Sequence, residues 1–423
     1  MQNRDGDLSE FFVHEIQSFP PSLSDFGNLH LHSTKSELLR CLEQPEQTEP
    51  PPTYNCKVLD DPGWWLPSHY CGEYLQWICR PGVHTLPGEA ATGIQKVGCC
   101  VGYIHSRQSE GVDPKGVWPD QATRQLIGVT TNKKELFTFL TTKVDEFNCS
   151  EAKAVYVTSG QSVLSIGSGI PMPSCNHKEA DTRVVVHVLH ALEQDQKTVL
   201  VRTVDTDVVA ILVGTFYDLA VVQSLLDIWV AFGTGKNYRF YSINGICDSL
   251  GEPRSRAIPV FHAFSACDTT SAFNGKSKKS AWQAYEDVTE TFVYLACHPF
   301  KQLYLDSDSF LKLGRRTVIV LYDKTSSLSS VNEIRKELFC QKNRAMENLP
   351  PTQDALLQHV RRKVYQAGIW TTSTQLEPLF HPHKICVDQG CTFLGSSLSD
   401  HARGLQSMQR VNQMRVQRRL FQM

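Results

Sequence analysis

The chain has 423 residues, of which 41% are hydrophobic and 20% are charged, with a formal net charge of −2. This composition fits a globular protein with two domains, or with one domain and long arms, and it excludes a general electrostatic attraction to nucleic acid. No apolar run approaches the roughly 18 residues that span a membrane, and the polar N-terminus opens no signal peptide. We therefore expect an intracellular location, with the nucleus as the compartment, no membrane contact, and mostly reduced thiols among the 14 cysteines.

The first 130 residues carry few periodic patterns. Residues 1–52 read as a polar arm with one short amphipathic helix over 36–43, followed by a proline-rich linker. Residues 53–130 are rich in cysteine and glycine and show no sustained period of 2 or 3.6, so no helix or strand is predicted there. Because they hold no Cys-x-x-Cys pair, a poorly packed or disordered insert, or a rearranged exon, is favoured over a zinc module.

From residue 132 onwards, strand and helix patterns alternate. Strands are predicted over 152–158, 197–204, 226–232 and 238–243, and 207–213 has helical or short-strand character. Helices are predicted over 132–140, 177–193, 243–250, 257–265, 278–287, 289–297, 331–340 and 353–366. The alternation predicts an α/β fold with a mostly parallel sheet covered on both faces, and a helical C-terminal part.

Three acidic motifs stand where a predicted strand gives way to a predicted helix. They are Glu179-Ala-Asp181, Asp205-Thr-Asp207, and Asp268 in Ala-Cys-Asp-Thr-Thr. Acids at the carboxyl edge of such a sheet form sites for Mg²⁺ or Mn²⁺, and such sites perform phosphodiester chemistry. Taken singly, each acid is more typical of a helix cap or of a first helical turn. Taken together they favour a cation, because carboxylates that lie close together repel.

Other charged segments are open to two interpretations. Gly275, Lys276, Lys278 and Lys279 are candidates for contact with a nucleic-acid backbone, and a solvated basic turn is the alternative. His381, His383, Cys386 and Cys391 have spacings that suit zinc, although a loop with unconnected side chains is favoured. Residues 402–423 form a basic amphipathic pattern that is more typical of a solvated or disordered end.

In order and spacing, the acidic motifs resemble those of the PIN-like 5′-nuclease superfamily, which includes flap endonucleases. The resemblance implies a three-layer α/β/α PIN-like core over 131–300, a helical extension over 301–370 and a tail over 371–423. It also implies two Mg²⁺ or Mn²⁺ ions. Glu179, Asp181, Asp205, Asp207 and Asp268 would be the metal-binding and catalytic residues. Gly275, Lys276, Lys278 and Lys279 fall where the family's DNA-gripping helical hairpin begins.

Longer phrases over 130–370 are similar to a family of uncharacterised animal proteins associated with mobile elements. They include His177-Lys-Glu-Ala-Asp-Thr-Arg183, Thr203-Val-Asp-Thr-Asp-Val208 and Phe261-His-Ala-Phe-Ser-Ala-Cys-Asp-Thr-Thr270. Both families place an additional Asp at the end of the first core strand. This chain should carry it within 53–130, and no convincing match is found there.

The sequence therefore leads to two main hypotheses. The first is a Mg²⁺- or Mn²⁺-dependent endo- or exonuclease that hydrolyses nucleic acid, with DNA favoured over RNA. The second is a non-enzymatic nucleic-acid-binding or scaffold protein derived from a mobile-element nuclease, which the missing early Asp supports. A hydrolase built on His262 and Cys267 has little support, because nothing resembles a nucleophile elbow and Cys267 is typical of a buried thiol.

Overall fold

The structure is a computed structural model that describes residues 8–15, 17, 20–25, 28–30, 35–43, 54–60, 102–106, 153–167, 169–234, 237–297, 307–340 and 344–377. Three predictions lie outside these residues: the helix over 132–140, the possible zinc ligands at 381–391, and the basic tail.

The described strands form a large sheet and a small ribbon. The strands are β1 (Ser24–Asp25), β2 (Asn28–Leu29), β3 (Cys56–Leu59), β4 (Gly102–Ser106), β5 (Lys153–Ser159), β6 (Ser162–Gly167), β7 (Thr198–Thr203), β8 (Asp227–Phe232) and β9 (Arg239–Ser242). β1 and β2 pair with each other, and the remaining strands form one sheet in the order β6-β5-β4-β3-β7-β8-β9.

The sheet is mixed, and its central strands are parallel. β3, β7 and β8 run in the same direction, with Leu59 opposite Arg202 and Thr203 opposite Phe232. The strands on either side of them pair antiparallel. A short connection enforces this between β5 and β6, where Gly160 takes a positive φ of 61° in a two-residue turn. The predicted α/β class is confirmed, and the PIN-like three-layer arrangement stays a prediction.

The helices cover the sheet and extend beyond it. The described α-helices are α1 (Leu8–Val13), α2 (Glu37–Leu42), α3 (Ala180–Glu193), α4 (Thr206–Val222), α5 (Ile243–Leu250), α6 (Glu252–Phe264), α7 (Lys278–Cys297), α8 (Ser307–Tyr322), α9 (Val331–Cys340) and α10 (Gln353–Thr371). A 3₁₀ turn covers Met346–Asn348. α3 packs on β3 and β4, and α5 packs on β8 and β9.

Several helix boundaries differ from the predictions for identifiable reasons. α3 begins at Ala180 because the backbone of Glu179 is still extended. α6 begins earlier than predicted, at Glu252, where a proline in the first turn favours helix initiation. The two helices predicted over 278–297 form one element, α7, which kinks at Val288, where φ is −132° and ψ is 22°.

The centre of the core is the crossing of α4 and α6. α4 is buried over most of its length, as expected for a helix that is apolar on all sides. Gly214 on α4 faces Pro259 on α6, and a Cβ atom at Gly214 would lie 2.2 Å from the Pro259 Cγ. The missing side chain therefore lets the two helices approach closely. One turn beyond Pro259, this approach brings His262 to the start of α4.

Two parts of the chain for which little was predicted belong to the folded body. β3 and β4 come from residues 53–130, where no regular structure was predicted. In the N-terminal arm, Phe12 is fully buried, and Glu15 accepts a hydrogen bond from the backbone N–H of Thr352 at 2.7 Å. The arm therefore packs on the C-terminal helices. The division of the chain into the five predicted segments stays a prediction.

Candidate metal centre

The second acidic motif lies where β7 ends and α4 begins. Asp205 is the N-cap of α4, and its Oδ1 accepts the backbone N–H of Asp207 at 2.9 Å. Asp207 follows in the first turn and is buried. From the sequence, a helix cap is the alternative to a metal ligand, and Asp205 does form such a cap. It also fixes the position of the Asp205 carboxylate at the carboxyl edge of the parallel strands.

Asp181 of the first acidic motif lies close to both aspartates of the second motif. Asp181 lies in the first turn of α3, and ligand atoms of Asp181, Asp205 and Asp207 all lie within 4.8 Å of one another. We call these three residues the acid triad. Its oxygen donors are those preferred by hard divalent cations, and the triad can hold a metal ion.

A further acid, Asp60, stands beside the triad. It directly follows β3, the strand parallel and adjacent to β7. Its Oδ2 accepts a hydrogen bond from Thr203 Oγ1 at 2.6 Å, and the same hydroxyl oxygen accepts the backbone N–H of Asp205 at 2.9 Å. The early acid that the sequence reasoning did not find is therefore present at the end of a core strand. Its signal was the short apolar run Cys56-Lys-Val-Leu59 followed by two aspartates.

Two members of the triad, Asp181 and Asp205, have environments that disfavour their ionised forms. Burial and the neighbouring charges of Asp205, Asp60, Asp207 and Glu179 raise the pKa of Asp181 well above its usual value. Burial and Asp207 likewise raise the pKa of Asp205. Carboxylates in this state are stabilised by an added cation, because it offsets both the desolvation and the repulsion.

Asp207 is held by a buried chain of polar groups. His262 Nε2 donates to Asp207 Oδ1 at 2.8 Å, and Lys278 Nζ donates to His262 Nδ1 at 2.9 Å. Burial and the charge of Lys278 lower the pKa of His262 to about 4, so the imidazole is neutral at pH 7. Burial by itself raises the pKa of Asp207, but the His262 hydrogen bond and the charges of Lys35 and Lys278 outweigh it, and the pKa lies below the usual value.

Asp268 lies apart from the triad, in the turn after α6. Ala266, just before this turn, has a positive φ of 101°, which strains a residue with a side chain. Lys278 Nζ donates to the Ala266 carbonyl at 2.7 Å, and Thr269 Oγ1 donates to Gln366 Oε1 at 2.8 Å. The Asp268 side chain forms an ion pair with Lys35, which also lies 3.8 Å from Asp207 Oδ1. Asp268 is therefore connected to the triad indirectly, through Lys35, which lies between Asp268 and Asp207.

Glu179 faces α10. Its carboxylate accepts hydrogen bonds from Gln366 Nε2 at 3.0 and 3.1 Å and from Trp370 Nε1 at 3.1 Å. The Trp370 ring also stacks on His262, with 5.6 Å between ring centroids. Glu179 therefore supports the site from outside the triad, and α10 touches two of the groups that surround it. Sequence reasoning gave Gln366 and Trp370 no role, because nothing local marks a helix that reaches back about 190 residues.

The predicted nucleic-acid contacts divide between interior and surface. Lys278 is fully buried and donates hydrogen bonds to groups at the C-terminal end of α6. It therefore cannot contact a phosphate, and the prediction for this residue is wrong. Lys276 lies over the Tyr322 ring at 4.4 Å, and burial lowers its pKa to about 8. Lys279 is exposed, and Gly275 takes the positive φ of 66° that a tight turn requires. Only the surface members of this set remain candidates.

The described cysteines do not support a thiol nucleophile. The described cysteines at positions 41, 56, 175, 247, 267 and 340 are free. Burial raises the pKa of Cys267, which is the opposite of what a nucleophilic thiolate needs.

Among the described helices, none combines the length and the apolar character that a membrane crossing requires.

Comparisons of the chain with protein-family models, with curated proteins and with solved structures found no match.

Proposed function

We propose that this protein is a divalent-metal-dependent nuclease that hydrolyses phosphodiester bonds of nucleic acid, with Mg²⁺ or Mn²⁺ at the acid triad. The observation that carries the proposal is the convergence of Asp181, Asp205 and Asp207 within 4.8 Å, with Asp60 beside them. Four carboxylates from three separate parts of the chain meet at one sheet edge. Without a cation, their mutual repulsion would destabilise the fold.

Asp60 also favours the enzyme over the non-enzymatic alternative. That alternative drew its support from a missing acid at the end of the first core strand. Asp60 occupies this place, since it ends β3 beside β7. It reaches the triad through Thr203, whose hydroxyl connects Asp60 to the backbone of Asp205.

In this reaction a water oxygen forms a bond to phosphorus, and the bond to the leaving oxygen breaks with its electron pair remaining on that oxygen. The water releases a proton to solvent, and the leaving oxygen takes one up. A divalent ion supplies Lewis-acid polarisation of the phosphoryl group and makes water a better nucleophile at neutral pH. Asp205 and Asp207 would hold the ion and Asp181 would complete the set, while Asp60 and His262 orient these carboxylates through Thr203 and through the hydrogen bond to Asp207. Two further acids lie around this set: Glu179 at the N-cap of α3 and Asp268 in the turn after α6.

DNA is the proposed substrate in preference to RNA, which rests on the resemblance to flap endonucleases. With a net charge of −2, the protein must bind the backbone through local cations. Lys279 on the surface and the half-buried Lys276 are the candidates from the segment after Asp268. Lys35, at the site itself, is a third.

The test is Mn²⁺ binding to the full chain by calorimetry, compared with the double variant Asp205→Asn/Asp207→Asn. We expect micromolar binding in the wild type and none in the variant, with equal circular dichroism. Mn²⁺-dependent cleavage of flap and single-stranded DNA should follow the same pattern. A folded wild-type chain that binds no Mn²⁺ would reject the enzyme and leave the scaffold hypothesis.

A further inference from the structure

The acids at this sheet edge form two cation positions that share Asp207. The first is the acid triad, and Asp268 is not part of it. The second lies between Asp207 and Asp268, and the Lys35 ammonium occupies it, with an ion pair to Asp268 and a distance of 3.8 Å to Asp207 Oδ1. The contacts of Asp207 with His262 and Lys35 are both made to Oδ1. A metal ion that takes Oδ2 therefore need not break either of them.

Lys35 is placed there by the fold. It stands just before α2, and its carbonyl accepts the backbone N–H of Leu38 at 3.2 Å. α2 packs on α7, and its side chains of Leu38, Leu39 and Leu42 are buried. Glu37 adds a hydrogen bond from the backbone N–H of Lys279 at 3.2 Å. Because Lys35 stands just before α2, the packing of this helix fixes the position of the Lys35 ammonium group at the site.

We propose that Lys35 is the second cation of this site, so that each chain binds one divalent metal ion at the acid triad and presents the Lys35 ammonium to the phosphate. This assignment rests on the proposed function and replaces the two-ion site that the resemblance implies. A second divalent ion between Asp207 and Asp268 would have to displace a positive charge that two carboxylates already hold.

The role fits the chemistry of the ammonium group. Lys35 has three N–H donors, and its side chain is 22% exposed, so it is open to a ligand from one side. A phosphate bound at the triad would bring an oxygen next to this group. Lys35 then offsets the negative charge on the phosphoryl oxygens as the bond to the leaving oxygen breaks, which is the part that a second ion plays in two-metal sites.

The experiment counts Mn²⁺ ions per chain. Wild type, Lys35→Met and Lys35→Arg are titrated with Mn²⁺ by calorimetry, with the exposed Lys324→Met as the matched control. Electron paramagnetic resonance of the loaded proteins reports whether two ions lie about 4 Å apart, since such pairs are spin-coupled. Circular dichroism establishes that each variant is folded.

We expect one ion without coupling in the wild type, in Lys35→Arg and in Lys324→Met, and a second, coupled ion in Lys35→Met. Two ions in the wild type would overturn the role of Lys35 and leave the proposed function standing. One ion in both the wild type and Lys35→Met would also overturn it, because the Asp207–Asp268 position would then not accept a metal. If none of the folded proteins bound Mn²⁺, the proposed function itself would fail.

Discussion

The two proposed cation positions share one carboxylate, that of Asp207, and differ in how their negative charge is balanced. At the acid triad, carboxylates face each other, and the pKa values of Asp181 and Asp205 are raised by burial and mutual repulsion. Between Asp207 and Asp268, a lysine already supplies the balancing charge. The difference teaches that acidic residues alone do not define a metal site. Metal binding depends on which of the acidic residues have no positively charged side chain of the protein between them.

The largest expected effect separates Asp205→Asn from Asp268→Asn. We expect Asp205→Asn to weaken Mn²⁺ binding by at least ~100-fold, since a direct holder of the ion matters more than the groups that support it. Asp268→Asn should leave the affinity nearly unchanged, because Asp268 faces Lys35. Calorimetry on both variants measures the contrast. Equal losses would mean that the two positions form a single site.

Asp60→Asn addresses the acid that local sequence patterns did not reveal. We expect ~10- to 100-fold weaker Mn²⁺ binding, the range for groups that orient a metal ligand. The reason is its hydrogen bond from Thr203, which in turn fixes the backbone of Asp205. Thr203→Val, which removes the connecting hydroxyl and keeps Asp60, should produce a smaller loss of the same kind. If Asp60→Asn bound Mn²⁺ as the wild type does, Asp60 would not belong to the site.

Asp181→Asn tests the repulsion within the triad through stability. Because the pKa of Asp181 is raised in the folded protein, its ionised form destabilises the metal-free fold. The cost is absent below the unfolded pKa of about 3.9, grows as the pH rises from there to the folded pKa, and is constant above the folded pKa. We expect Asp181→Asn to stabilise the metal-free protein at pH 8 and to leave its stability unchanged near pH 3.

Chemical denaturation of both proteins at the two pH values, with a chelator present, measures this difference. Saturating Mn²⁺ should reverse the order at pH 8, because the ion binds the folded wild type more tightly. An advantage of the variant that is the same at both pH values would point to packing rather than charge.

The smallest effect concerns the turn that carries Asp268. Ala266 and Ala263 are both fully buried, but Ala266 has a φ of 101° and Ala263 lies in α6. We expect Ala263→Gly to cost about 1 kcal/mol of stability through helix propensity. Ala266→Gly should cost less or nothing, because glycine relieves the strained backbone. Thermal unfolding of the two variants compares them, and equal losses would argue against strain at Ala266.

Local patterns were sufficient for much of the core. The β-branched strand over 197–204 and the hairpin around Gly233 appear close to their predicted bounds as β7, β8 and β9. Asp205 and Asp207 lie at a sheet edge, and Asp181 joins them. These predictions succeeded because strand periodicity and helix starts are local properties, and because the carboxyl ends of parallel strands share one edge of the sheet.

The remainder of the site depends on contacts that no local pattern encodes. β3 has only four residues, too few for a test of periodicity, so Asp60 lacked a recognisable strand before it. The run of basic residues predicts a surface position for Lys278, yet the fold buries its ammonium group against His262 and the Ala266 carbonyl. The sequence places Lys35 in a polar arm, and its position at the site depends on the packing of α2 on α7.

The way distant parts of the chain meet also dictates when the site can form during synthesis. Asp60 and Thr203 are 143 residues apart, Glu179 and Trp370 are 191 apart, and Glu15 and Thr352 are 337 apart. Contacts of such separation form late and slowly, since long loops must close first. The N-terminal arm must therefore wait for nearly all the described chain to leave the ribosome. A nascent or truncated product that ends before α10 would lack the supports of Glu179, whatever the state of its sheet.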